Sequence, residues 1–424
     1  MKATVCCIAA QPRACERARE RGIMRTAESS LITASGWNVD LARLEHDVLG
    51  DPTGEGGGNQ PIHSRAVFSD DMVAVARISS RSSLVNEVLG NFSHCVVTNT
   101  VEHVATISDW CEKHLENDGL SIVVRANRYG FRCKGWDARE LERAVGASLY
   151  AAGWKIDLHD ADIQLQILLL GASTEQLSRE QVSHEQENSD DEKPLLAWGV
   201  KQHTSSDWQG RSPINRPFFK PVSLDPRLAR AMVNIACPEG GKLLDPFCGT
   251  GGILLESMLS GVEAYGGDLD PEMVRGCSEN LAWAKTEFVT ESQAVVRMAS
   301  VEHASSEWAD EAPFDGFAFD PPYGRNSWKT EDGWELFRTT LAACGAVAAP
   351  KANLVTLLPW PASATNLELF EADIDHPDAQ TFSKPWREVR EAFSVNGWSL
   401  SSYVHVPVHG SLSRLLVFLE RDER

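Results

Sequence analysis

The sequence predicts an α/β protein in two parts: an α+β region of mixed order, then a doubly wound, mostly parallel sheet that ends in an antiparallel hairpin. Three observations predict it. Strand and helix patterns alternate regularly from Lys242 to the C-terminus. Before them, residues 31–172 carry strand and helix patterns in irregular order. Between the two, residues 173–193 (STEQLSREQVSHEQENSDDEK) hold seven acids against Arg179 and Lys193, a composition that cannot bury enough apolar area to offset ordering entropy. The expected organisation is a poorly ordered leader over 1–30, the mixed region over 31–172, an acidic linker over 173–210 and the regular α/β domain over 211–424.

In the first region, LITASGWNVDLARLEHDVLG reads as a strand and a helix, followed by the Gly-rich loop GDPTGEGGGNQP. FSDDMVAVARISSRSSLVNEVLG reads as another strand and helix. GLSIVVRANRYG alternates as a strand, WDARELERAVGASLYAAG has helical spacing, and ADIQLQILLLG is a second strong strand. In the second region a helix begins after Asp225, a good N-cap, with Pro226 at its first position. GKLLDPFCGTGG, EAYGGDLD, AVVRMAS, DGFAFDPPYG and ANLVTLLPW then read as strands, with helices between them, and SLSSYVHVPVHGSLSRLLVFLERD as the closing hairpin.

Composition limits the function classes. With 42% hydrophobic and 24% charged residues the chain is globular in character, and no apolar stretch approaches the roughly 18 residues of a membrane span, so no membrane partner is expected. The ten cysteines form no C-x-x-C pair and no Cys/His cluster at zinc spacing, which predicts reduced thiols in a cytoplasmic protein and no structural metal. The first 25 residues carry six Lys/Arg against two Glu and lack the apolar core of a secretory signal. The net charge of −20 argues against a polyanionic partner, but charge is local. Residues 121–155 hold seven basic against three acidic side chains, a net +4 suited to phosphates.

Two strand ends carry chemistry. In LLDPFCGTGG, Asp245 closes a strand, and Gly249 and Gly251 permit a tight turn and close backbone approach. A dinucleotide fingerprint needs a third glycine where Leu254 stands, and no G-K-[ST] follows for a Walker loop. An acid at the turn would repel a pyrophosphate and suits an ammonium or sulfonium, which points to S-adenosylmethionine. About twenty residues on, Asp268 ends the next strand in position to accept from ribose hydroxyls, and Asp270 reads as the N-cap of the helix opening at Pro271. Cys248 has no neighbour in sequence that would activate it as a nucleophile and reads as a packing residue.

The second strand end is FDPPYG. Asp320 and Pro321 each precede a proline, so both are held extended, and neither proline offers an N–H. The turn therefore presents acceptors. The Asp320 carboxylate and the Pro321 carbonyl could bind both hydrogens of an exocyclic base amine, drawing its nitrogen toward tetrahedral geometry, with Tyr323 stacked on the unstacked base. Alone, D-P-P reads as a turn that stops a strand. The aromatic and glycine after it, and the acid-glycine turn before it, favour methylation of an amine.

These motifs, DPFCGTG then DPPYG, resemble those of class I methyltransferases acting on exocyclic amines. RPFFKPVSLDPRLARAMVNIA resembles the lead-in helix of the archaeal tRNA guanine-N2 methyltransferases that modify position ten, and residues 67–171 (with RANRYGFRCKGWDARELERAVGASL) resemble a THUMP domain. The resemblance implies ferredoxin-like and THUMP domains ahead of a Rossmann-like catalytic domain, tRNA as partner, a small activator subunit as in eukaryotic relatives, and Phe219 helping to close the cofactor pocket. One position departs: where the family has an adenine-contacting acid, RMASV places Ala299, leaving Ser300 as the substitute or a contact through backbone only. A DNA amino methyltransferase, and a non-catalytic RNA-binding protein with a degenerate cofactor site, stay open at this point, as does the addition of one or two methyls.

Overall fold

The computed structural model describes residues 30–34, 36–51, 60–63, 66–97, 100–129, 136–171, 195–202, 208–221, 223–288, 290–322, 331–360, 380–382, 384–409 and 412–422. The leader, the acidic stretch 173–193 and most of the Gly-rich loop lie outside these residues. The chain forms two compact units that interleave in sequence. The first comprises described residues up to Gly36, within 57–79 and within 85–205; the second comprises those within 37–56, 80–84 and from 206 on.

The first unit is built on an eight-stranded mixed sheet. Its strands are β1 (Ser30–Ala34), β2 (Gln60–His63), β3 (Ala66–Ser69), β4 (Val85–Val96), β5 (Ser121–Tyr129), β6 (Lys155–Ile156), β7 (Ile163–Leu170) and β8 (Leu195–Lys201), in the order β2-β3-β1-β4-β8-β7-β5-β6. The helix predicted in WDARELERAVGASLYAAG forms at Ala138–Ala151, capped by Asp137, whose carboxylate accepts from the Arg139 and Glu140 N–H groups at 2.7 and 3.3 Å. With the helix Thr100–His114 it supplies Ile107, Cys111, Leu141, Val145 and Leu149 to a core shared with Ile122, Leu165 and Trp198. Burial of such side chains stabilises by about 1.5–3 kcal/mol each. Two strands depart from expectation in an instructive way. β8 lies within the stretch read as linker: the apolar run LLAWGVK pairs with both β4 and β7. β4 was not legible because Gly90 and Asn91, the latter at φ 51°, interrupt its alternation.

The helices are numbered α1 (Val39–Gly50), α2 (Met72–Arg81), α3 (Thr100–His114), α4 (Ala138–Ala151), α5 (Pro226–Ala236), α6 (Gly252–Leu259), α7 (Pro271–Glu287), α8 (Ala304–Glu307), α9 (Glu331–Val347) and α10 (Trp386–Val395). In the second unit, β9 (Lys242–Asp245), β10 (Glu263–Asp268), β11 (Ala294–Met298), β12 (Phe314–Phe319) and β13 (Ala348–Trp360) are parallel, and β16 (Trp398–His409) and β17 (Leu412–Arg421) form the antiparallel hairpin, after a two-residue pair β14 (Gln380–Thr381) and β15 (Lys384–Pro385). The order is β11-β10-β9-β12-β13-β17-β16. The α/β architecture expected from the alternation is therefore present, antiparallel edge included.

Strand order reverses between β9 and β12, the switch point at which open α/β sheets bind ligands beyond the carboxyl ends of their strands. Phe314, Phe317, Phe319, Leu354 and Trp398 fill the core beneath it. At its back, α1 packs on α5 through Glu45, which is fully buried. Glu45 accepts from the Ser82 and Ser83 hydroxyls at 2.7 and 2.9 Å, the Ser83 and Leu84 N–H groups at 2.9 and 3.1 Å, and Asn234 Nδ2 at 2.7 Å. No helix among the described residues is long and apolar enough to cross a membrane.

Candidate active site

Both motifs fall at the switch point. Asp245 ends β9, and the turn after it runs to α6. Gly249 and Gly251 have φ of 48° and 83°, backbone that L side chains rarely adopt. At Gly249 a Cβ would meet only the Phe247 carbonyl, at 3.9 Å, so that face of the turn is open. At Gly251 a Cβ would lie 2.5 Å from Cys277 Sγ of α7. Gly251→Ala is therefore expected to destabilise the protein by about 2–4 kcal/mol, through left-handed backbone and overpacking together. Thermal unfolding of Gly251→Ala with and without Cys277→Ala checks this: the second change should recover the packing share and leave the backbone share.

The turn is fastened to both neighbouring strands. The Gly249 N–H donates to Asp268 Oδ2 at 2.9 Å and the Cys248 N–H to the Gly267 carbonyl at 2.9 Å, both on β10. The Phe247 ring stands edge-on to Phe319, with centroids 5.8 Å apart, which holds the turn against the end of β12 where Asp320 follows.

The acids differ in exposure. Asp245 is 2% exposed and accepts from the Phe247 N–H at 3.0 Å, so it supports the turn from beneath. Burial, and the nearby charges of Asp268 and Asp320, push its carboxyl well above the usual range. Asp268 is half-buried, its Oδ1 accepting from the Asp270 N–H at 2.9 Å while Oδ2 holds Gly249. Asp270 caps α7 as expected, accepting from the Glu272 N–H at 2.8 Å. Asp320 is followed by buried Pro321, and burial pushes its carboxyl up to about 6 against an opposing effect of Arg414. Its Oδ1 is buried and has no hydrogen-bond partner among the described residues, a costly state for a carboxylate oxygen. Tyr323 lies outside the described residues.

The approach segment contributes Phe219, which is 43% exposed, while its neighbour Phe218 packs on Gly276 so closely that a Cβ there would sit 2.1 Å from the ring. Asn280, fully buried on α7, donates through Nδ2 to the Phe218 and Thr250 carbonyls, both at 2.9 Å, and accepts from the Phe218 N–H at 2.9 Å. Ser223 and Thr250 hydroxyls are hydrogen-bonded at 2.9 Å. The segment carrying Phe219 is thereby tied to the glycine turn. Beneath it, fully buried Glu256 of α6 pairs with Arg211 Nε at 3.0 Å and Arg230 Nη2 at 2.9 Å, and Arg216 donates twice to the Arg211 carbonyl.

At the end of β11, Ala299 is buried, its N–H donating to the Asp268 carbonyl at 3.2 Å, and the Ser300 hydroxyl accepts from the Glu302 N–H at 3.3 Å as a helix cap. Two large apolar side chains are exposed here: Leu269, one residue past Asp268, and Met298, opposite Asp268 in the β10–β11 register. Sequence reasoning missed these two, and also Asn280, Glu256 and Arg414. An acid inside the apolar run GILLESML was the one local signal for Glu256.

Acids at neighbouring strand ends and a glycine turn, meeting at the switch point of a parallel sheet, define a site for a small ligand. Residues 213–367 match the family model described as RMKL-like, methyltransferase domain. Among curated relatives, the chain is 33% identical over 243 residues to a tRNA (guanine(10)-N2)-dimethyltransferase of Methanothermobacter thermautotrophicus, covering 57% of this chain and 60% of the relative. It is 26% identical over 211 residues to the protein of the same name from Pyrococcus abyssi, covering 50% and 56%. The chain thus spans a little over half the length of these relatives. A solved structure, TrmN from Thermus thermophilus, aligns over 93% of this chain and 99% of its own at 18% identity, with a TM-score of 0.49.

Proposed function

We propose that the protein transfers a methyl group from S-adenosylmethionine to the N2 amine of a guanosine in tRNA, at position ten. The observation that carries the reading is the buried Oδ1 of Asp320, unpartnered among the described residues and standing beside the Pro321 turn at the switch point. An acceptor in that state suits the N–H donor of a bound substrate. Asp320 and the Pro321 carbonyl would take the two amine hydrogens, so that the nitrogen lone pair is freed from the ring and aimed. The names of the relatives support guanosine and tRNA as substrate.

The residues around the turn fit a cationic cofactor. Three carboxylates, Asp245, Asp268 and Asp320, sit at neighbouring strand ends, and the charges of the last two disfavour ionisation of the first. A sulfonium would relieve that repulsion, and it supplies the methyl group to be transferred. Gly249 offers open backbone, Asp268 has remaining lone pairs for ribose hydroxyls, Leu269 and Met298 supply apolar surface for adenine in place of the acid absent at Ala299, and Phe219 covers the entrance. Because a cation favours ionised Asp245, binding should release protons. Calorimetry of S-adenosylmethionine binding over a pH series, in buffers of differing ionisation enthalpy, checks this: the apparent heat should vary with buffer over part of the range, and a heat invariant with buffer at every pH contradicts the charge assignment.

In this reading the first unit, with its ferredoxin-like and THUMP-like regions and the basic segment 121–155, binds tRNA, and the protein works in the cytoplasm. Labelled S-adenosylmethionine with tRNA transcripts and, separately, duplex DNA tests the substrate class. Label is expected in tRNA alone; label in DNA alone would establish a DNA amino methyltransferase instead.

A further inference from the structure

Asp320 presents a problem that the proposed function does not solve by itself. Asp320 accepts most strongly from an amine when its carboxylate is ionised and its Oδ1 lone pairs are vacant, yet a buried carboxylate without a partner tends to protonate. The residue that addresses both demands comes from another part of the chain. Arg414 lies on β17, paired with Pro359 of β13, and its side chain reaches over β13 to place Nε 3.8 Å from Asp320 Oδ1. That distance is too long for a hydrogen bond and short enough for strong Coulomb attraction at a largely buried position.

The geometry points to Arg414 as a positioning residue that holds Asp320 ionised through charge while leaving the Oδ1 lone pairs to the substrate amine. This rests on the methyltransferase reading for its purpose, but not for its measurement. Among the described residues, the charged groups around this carboxyl are Arg414 from β17, Asp245 from β9 and, beyond it, Asp268 from β10. Arg414 is the cation of this set. Its contribution opposes desolvation, in the direction the geometry requires.

Infrared titration of the full-length protein carrying ¹³C-labelled aspartate, with the Asp320 band assigned by its loss in Asp320→Asn, measures this directly. The wild-type midpoint should lie near 6. Arg414→Gln and Arg414→Met remove the charge with different shapes, so either variant that folds decides the matter; each should raise the midpoint by about one pH unit or more, while Arg414→Lys holds it within about half a unit. The pH dependence of methyl transfer to tRNA should show its acid limb displaced by the same amount. An unchanged midpoint in a folded Gln or Met variant, or a Lys variant that shifts as far as they do, overturns the assignment. If wild type transfers no methyl at any pH, the methyltransferase reading fails and the infrared arm still decides the role of Arg414.

Discussion

Asp320→Ala is expected to lower methyl transfer to tRNA by about 10²–10³-fold, the usual cost of removing one pre-aimed electrostatic group, with S-adenosylmethionine affinity changed by no more than about threefold. The separation follows from placement: Asp320 follows β12, whereas the turn that would hold the cofactor is fastened to β10 through Gly249 and Cys248. Asp320→Asn keeps one acceptor but no charge, so it should be intermediate in rate and lack the acid limb near pH 6. Stability should move the other way. The Asp320 carboxyl is raised from 3.8 to about 6, so the folded state binds its proton more tightly than the unfolded state does. Its contribution to stability is present below about pH 4 and lost as pH rises through about 6. Replacing it by Asn should therefore stabilise the protein at pH 7 by about 1–3 kcal/mol, roughly 2–4 °C per kcal/mol for a unit of this size, and have no such effect at pH 4. Steady-state kinetics beside thermal unfolding at the two pH values checks both halves. A variant that lost activity only because it lost stability would contradict the assignment.

Glu256→Ala should have the largest effect on stability. Glu256 is fully buried in the folded protein, and its two oxygens face Arg211 and Arg230, themselves nearly buried, with Arg216 hydrogen-bonded to the Arg211 carbonyl. Burial lowers the affinity of Arg216 and Arg230 for their protons, and the Glu256 charge opposes that effect. Removing the acid strands buried cations, which costs about 3–5 kcal/mol, and the thermal midpoint should fall by roughly 10 °C. The same network underlies the segment that carries Phe218 and Phe219, so S-adenosylmethionine affinity should fall as well. Glu256→Gln, which keeps one acceptor, should lose less on both counts. A midpoint within 2 or 3 °C of wild type, expected for roughly 1 kcal/mol, would show that the pairs contribute little.

Much of the second unit could be read in the sequence because its information is local. Asp245, Gly249, Gly251 and Asp268 sit in short motifs at strand ends, and regular alternation sets the order of the strands that carry them. What escaped was non-local or conditional on packing. Arg414 reaches Asp320 only because β17 returns antiparallel beside β13, and Asn280 matters because α7 brings its amide to two carbonyls from separate segments. Exposure could not be read either: the letters do not show that Asp245 is buried while Asp268 stays half-exposed. That the Ser300 hydroxyl also caps the short helical turn after it was equally unreadable. In the first unit, β8 was hidden by the acidic stretch before it, and α1 joins the second unit despite its early place in the chain.

The central claim is that Asp320 holds the N2 amine of a guanosine. Nucleoside mass spectrometry of a tRNA transcript, after incubation with S-adenosylmethionine and either wild-type protein or Asp320→Ala, tests it most directly. The account predicts N2-methylguanosine or N2,N2-dimethylguanosine, mapped to position ten, with wild type and almost none with the variant. A methyl group on another atom or base, or equal yields from the two proteins, would contradict it.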